Sequence, residues 1–210
     1  MTAFSAREVA VVRQVVGIAL QYPDGALLRD LPVLRAAVSG LRSEGSAPLT
    51  GLLDHLADTP ADVLAADYVA TFDLSRRHAL HLTYFTHGDT RKRGLALLRI
   101  KQTYRRFGYV LDDTELPDHL SVVLEFAATV DADTGTRLLQ EHRAGLELLG
   151  LALREAGSPY AAATSAVSAT LPPLRGSVRE AVARLAAEGP PGEDVGLDPF
   201  VPPEVSGARR

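Results

Sequence analysis

Apolar positions in this chain recur three and four residues apart, the spacing that gathers side chains on one face of an α-helix. Val9, Val12, Val16 and Ala19 form the first such face. Ser5 and Glu8 precede it at the separation of a capping box, in which the serine hydroxyl accepts from the Glu8 amide and the carboxylate reaches back. Tyr22-Pro23-Asp24-Gly25 ends that helix, because proline blocks continuation and glycine accommodates the turn. A second helix is predicted over residues 27–41, bent or interrupted at Pro32, then a linker over 45–48 and a short helix over 49–57. Thr59 as cap and Pro60 at the first helical position open the next.

Farther along, Leu97, Ile100, Tyr104 and Phe107 share a face of a helix over 90–107. Pro117 is expected at the first position of a helix carrying Leu120, Val123, Leu124 and Ala127. Leu139, His142, Leu146, Leu149 and Leu153 make a single stripe of the kind found in helix bundles, and alanine-rich helices are predicted over 159–170 and 175–187. The one β-branched and aromatic run, ALHLTYFT, has no partner strand, so it reads as helix or irregular loop. The expected fold is all-α: one helical domain over 1–188, followed by a Pro- and Gly-rich flexible tail over 189–210.

Composition narrows the chemistry. Without cysteine, disulfides, thiolate metal sites and cysteine nucleophiles are excluded. No run approaches the roughly 18 apolar residues of a membrane span. The first residues, with Arg7, Glu8 and Arg13 at helical spacing, read as mature structure, making the cytoplasm the expected location. Phosphate-loop, dinucleotide, zinc-protease and nucleophile-elbow motifs are absent. His78 and His81 could share a helical face, but two histidines beside Arg76 and Arg77 make a poor cation site, so no metal is expected.

Charge is unevenly spread. Residues 76–106 hold nine Lys or Arg against one acid, Asp89, which leaves the rest of this −4 chain at −12. Such a dipolar surface bears on association more than on fold. Arg91, Lys92 and Arg93 fall in a first helical turn, where the macrodipole already disfavours cations. Acids elsewhere can pair with them, the pairing favoured for Arg93 and Arg99, or a partner can. A duplex-binding reading has this basic patch but no recognition motif beside it. A third reading has the Gly88–Thr90 turn and its cations hold a phosphate group.

Three segments carry a family resemblance: YVATFDLSRRHALHLTY, HGDTRKRG and ELPDHLSVVLEFA, within residues 67–128. This region resembles the nitrate reductase delta subunit family, the molybdenum cofactor assembly chaperones, within the wider TorD-like group of redox-enzyme chaperones. One departure is Thr71, where many of the wider group carry leucine. The resemblance implies an all-helical, non-catalytic clamp that needs no cofactor of its own. Such a clamp binds the N-terminal segment of a nitrate reductase catalytic subunit, keeps the apoenzyme competent for cofactor insertion and delays membrane anchoring, with at most passing contact with the cofactor machinery. It implies neither a nucleic-acid partner nor insertion into a membrane.

On that reading a peptide groove is walled by Tyr68 and Phe72, by Tyr84 and Phe85, and by the helix expected at Pro117. Asp73, Asp89, Asp118 and His119 frame its polar rim. Gly88-Asp89-Thr90 makes a turn and cap, and Arg91, Lys92 and Arg93 brace acidic loops or touch the client.

Overall fold

The computed structural model describes residues 4–41, 46–112 and 114–189. Gly45 and the tail beyond Gly189 lie outside the described residues. The chain folds as helices throughout this range, with no strand and one isolated antiparallel bridge, His81 to His119. No helix among the described residues is long and apolar enough to cross a membrane.

Helix α1 (Ala6–Ala19) starts where the capping box requires: Glu8 N–H donates to Ser5 Oγ at 3.3 Å, and Ser5 N–H to Glu8 Oε2 at 2.9 Å. Asp24 caps α2 (Gly25–Ser39) by accepting from the amides of Ala26 and Leu27, at 2.8 and 2.9 Å. Pro32 lies inside α2, which runs through it without interruption. Helix α3 (Ser46–Asp58) begins inside the stretch expected as a linker, and α4 (Ala61–Tyr68) follows. Thr59 does not cap α4; Pro60 occupies the cap position, and the Thr59 hydroxyl lies 3.4 Å from His55 Nδ1.

After α4 the chain widens into a π-helical turn, Val69–Asp73, closed by Leu74 N–H on Val69 O at 3.1 Å. A 3₁₀ turn, Arg76–His78, and a short α5 (Tyr84–His87) lead to α6 (Arg91–Arg106). Helix α7 (Leu120–Thr129) is buried nearly all round, from Leu120 through Leu124 and again at Phe126 and Ala127. Such a helix belongs at the centre of the core. The remainder comprises α8 (Ala132–Glu141), α9 (Arg143–Glu155), α10 (Ala161–Ala169) and α11 (Gly176–Glu188).

Two expectations need correction. The stripe from Leu139 to Leu153 is not one helix: the chain bends at His142, with φ −102° and ψ 18°, so α8 and α9 share the pattern across a kink. Backbone bonds from His142 N–H to Leu138 O and from Leu146 N–H to His142 O, both 3.2 Å, carry the ladder through the bend. Pro117 does not open α7 either. His119 is the cap, and its Nδ1 accepts from Ser121 N–H at 3.3 Å.

Gly135 lets α8 lie directly on α7, since a Cβ there would sit 2.2 Å from Ala127 Cβ and 2.4 Å from its Cα. Backbone must move to admit it. Gly135→Ala is therefore expected to cost about 1–3 kcal/mol despite alanine's better helix propensity. Gly51→Ala, where nothing lies within 4 Å, is expected to stabilise by up to about 1 kcal/mol. Thermal melts of the two variants give opposite shifts.

Candidate functional site

A cleft of about 880 Å³ opens where the end of α1, the π turn, the 76–84 segment, the 109–115 connection and α7 meet. Its floor is aromatic. Tyr68 and Phe72 are four residues apart across the wide turn, with ring centroids 4.8 Å apart, and both pack on Tyr160, at 6.2 and 4.9 Å. Tyr22, half exposed at the mouth, meets Tyr68 edge-on at 5.5 Å. The Tyr68 hydroxyl donates to Leu20 O at 3.0 Å, fixing the ring as wall rather than as a titrating group; burial pushes its pKa well up. Burial, reinforced by Asp67, likewise raises Tyr160 to about 12.

Opposite the aromatics the backbones of two segments join. Leu82 N–H donates to Asp118 O at 3.0 Å and Leu120 N–H to Leu80 O at 2.8 Å. This pairing stacks the His81 and His119 rings edge to face, 5.3 Å apart, with His81 Nε2 3.4 Å from Glu115 Oε1. Behind them Asp118 is fully buried, not at a polar rim. Its Oδ2 accepts from Thr83 N–H at 3.1 Å and from the Thr83 hydroxyl, and Arg93 Nη2 stands 3.9 Å away. Arg93 also reaches Asp89 Oδ1 at 3.4 Å and Thr83 Oγ1 at 3.4 Å, so one guanidinium spans the rim acid and the buried one.

Gly88 makes the turn before α6 with φ +55°, a region glycine tolerates. Asp89 is not a cap. Thr90 holds the cap position, but its hydroxyl donates back to His87 O at 2.7 Å.

Of the residues singled out in the sequence, Tyr68, Phe72, Asp73, Tyr84, Asp89 and His119 line the cleft together. Phe85 is buried on the other side, against Gly145. Pro117 is buried and accepts from the Tyr104 hydroxyl at 2.9 Å. Arg91 and Lys92 are exposed on the first turn of α6 and do not line the cleft. His78 is tied to Thr71 O at 2.9 Å, and no group of three or more metal-ligating side chains occurs among the described residues.

Sequence reading did not name Tyr22, His81, Tyr109, Asp112, Glu115 and Glu125 as lining residues, whereas Arg93, expected to pair with acids of this chain, does so beside them. The mouth thus gathers five carboxylates (Asp73, Asp89, Asp112, Glu115 and Glu125) against Arg76 and Arg93. Burial, then the nearby Glu125 and Asp112, raises the Tyr109 hydroxyl to about 12.

Removing the Asp118 carboxylate strands the buried Thr83 amide and hydroxyl, so Asp118→Ala is expected to cost about 2–3 kcal/mol in urea denaturation. Asp89→Ala, which breaks one exposed pair and no cap, is expected to stay within about 0.5 kcal/mol of the parent.

Burial draws the His119 pKa down, His81 adding to the effect and Glu115 and Asp118 opposing it. Burial also lowers His142, with Asp118 opposing and His87 adding. Both folded values lie below the unfolded value of about 6.5, so the unfolded chain takes up more protons in acid. Stability from these groups is full above about pH 6.5 and is lost as pH falls below it. Melting temperature is expected to drop between neutral and mildly acidic pH. The His119→Asn, His142→Gln double variant, in which asparagine keeps a cap acceptor, is expected to flatten that slope.

The family model for the nitrate reductase delta subunit matches residues 39–166. The nitrate reductase-like protein NarX of Mycobacterium tuberculosis is 42% identical over 161 residues, which cover 76% of this chain and 24% of that protein. This chain thus matches about a quarter of NarX's length. "Probable nitrate reductase molybdenum cofactor assembly chaperone NarJ" of Bacillus subtilis is 31% identical, covering 78% of this chain and 88% of its own. The nitrate reductase molybdenum cofactor assembly chaperone NarJ of Escherichia coli is also 31% identical, over 70% of this chain and 64% of its own. In fold, the chain resembles the crystal structure of a candidate redox enzyme maturation protein from Archaeoglobus fulgidus, with a TM-score of 0.55 at 23% identity, covering 81% of this chain and 94% of that one. With most of its helical core inside the matched region, the chain belongs to the nitrate reductase delta subunit family.

Proposed function

We propose that this protein is an assembly chaperone for a nitrate reductase, working in the cytoplasm. It holds the N-terminal segment of the catalytic subunit in the cleft and keeps the apoenzyme competent for molybdenum cofactor insertion before membrane assembly, meeting the cofactor machinery only in passing. No bond is made or broken in this role. The observation that carries the reading is the pairing of an aromatic floor with an acidic mouth in a member of this family.

An amphipathic helical segment is the occupant such a cleft suits: apolar side chains enter over Tyr68 and Phe72, and cations meet the five carboxylates. The carboxylates steer a basic segment and weaken their hold as salt rises. An aromatic floor held by packing, with Tyr68 also fixed by its bond to Leu20 O, needs little reordering on binding, which favours affinity.

The duplex reading gains less from the geometry. Arg77 is paired with Glu155 at 2.6 Å and Arg93 is turned into the cleft, so the basic residues of 76–106 do not form one free patch.

Calorimetric titration with a synthetic peptide of the catalytic subunit's first residues tests the proposal. Binding is expected, weakening with salt, and the Asp73→Lys, Glu115→Lys variant is expected to lose about tenfold in affinity, or 1.4 kcal/mol. No heat at tens of micromolar, roughly −6 kcal/mol, over several pH values would refute it.

A further inference from the structure

The outer face of α6 is basic and partly aliphatic. Its sequence, RKRGLALLRIKQTYRR, contains no acid. Ile100 and Tyr104 are buried and Arg93 turns to the cleft, which fixes the inward side. Leu95, Leu98 and Gln102, three and four residues apart, run along the opposite side. Leu95 is 60% exposed and Leu98 49%, although both are aliphatic. Arg91, Arg99, Arg105 and Arg106 are exposed around this line, each three, four or seven residues from one of its members.

Exposed leucines flanked by cations are the arrangement of a helix that lies in the interface of a bilayer, and here Arg99 and Arg106 also edge a cleft shared with α8. The helix is about 24 Å long at 1.5 Å per residue. We propose that the outer face of α6 docks this protein on an anionic phospholipid surface. Arginines meet lipid phosphates, and Leu95 and Leu98 enter the boundary between headgroups and acyl chains.

Charge complementarity selects this occupant: a net-negative protein would be repelled by an anionic membrane everywhere except at a basic face of this kind. A polyanion such as duplex DNA would engage the same arginines but has no use for the leucines. The acidic cleft lies on the other side of α6, where Arg93 points, so both surfaces can be occupied together.

Flotation of the full chain with vesicles is the test, using phosphatidylcholine alone and phosphatidylcholine mixed equally with phosphatidylglycerol. Binding is expected to the mixed vesicles only, and to fall with salt. Arg99→Glu with Arg106→Glu is expected to weaken it at least about tenfold. Leu95→Ser with Leu98→Ser is also expected to weaken it about tenfold, without lowering the melting temperature. The chain has no tryptophan, so Gln102→Trp supplies a fluorescent reporter one turn beyond Leu98 on the same face; its emission is expected to shift to the blue on mixed vesicles. The proposal is overturned by equal or absent binding to both vesicles, or by a tryptophan that does not shift. It is equally overturned if the serine variant binds like the parent while duplex DNA binds as tightly as lipid.

Discussion

The structure depends on the union of two short segments that are distant in sequence, 80–83 and 118–120. Two backbone bonds, Leu82 to Asp118 and Leu120 to Leu80, join them, and the Asp118 carboxylate adds the amide and hydroxyl of Thr83. A carboxylate with no solvent exposure is tolerable only when its surroundings compensate it, and here the Thr83 amide and hydroxyl donate to Oδ2 while the Arg93 guanidinium, 3.9 Å away, supplies opposite charge. The consequence is geometric. α7 is central to the core, so tying 80–83 to its first residue fixes where α5, the Gly88 turn and α6 leave the bundle. The cleft exists because this joint holds His81 and His119 against one wall while the π turn presents Tyr68 and Phe72 on the other.

Local signals in the sequence were legible where local bonds decide the outcome. Ser5 and Glu8 form their capping box because both partners lie within one helical turn. The periodicity of 120, 123, 124 and 127 located α7 correctly because those residues are buried together. The start of that helix was misread for the opposite reason. Pro117 and Asp118 suit a first helical turn by local rules, but Asp118 is claimed by Thr83, 35 residues away, and His119 takes over the cap. Likewise Thr90 and Thr59 stand where a cap is wanted, yet their hydroxyls face His87 O and the His55 ring. Nothing in the spacing of the stripe through 139–153 records the bend at His142, since a kink that keeps its backbone bonds leaves the three-and-four pattern almost unchanged.

Some of the residues that the sequence singled out line the cleft, and others that line it carried no signal in the sequence. The aromatic pair and the ELPDH segment do meet across one cleft, which the resemblance implied and periodicity could not have supplied. Residues contributed by connections, such as Tyr109, Asp112 and Glu115, carry no periodic signal because they are not in helices. Tyr22 likewise comes from the turn after α1. Assembling such a mouth is a property of the fold, and only the helices that carry its floor announce themselves in the pattern.

Charge asymmetry follows from the same joint. The cations of 76–106 look like one cluster along the chain, but the fold divides them. Arg93 turns inward, because Asp89 and Asp118 lie on that side of α6, and its side chain is only 19% exposed. The other arginines of α6 lie at different angles around the helix and cannot follow. They are left outward with Leu95 and Leu98, on a face that no acid of α6 offsets. A cleft lined by carboxylates and a ridge lined by arginines are therefore two results of one choice: which side of α6 meets the buried acid. Moving the buried carboxylate to another segment would remove the reason for Arg93 to turn in, and with it the separation of the two surfaces.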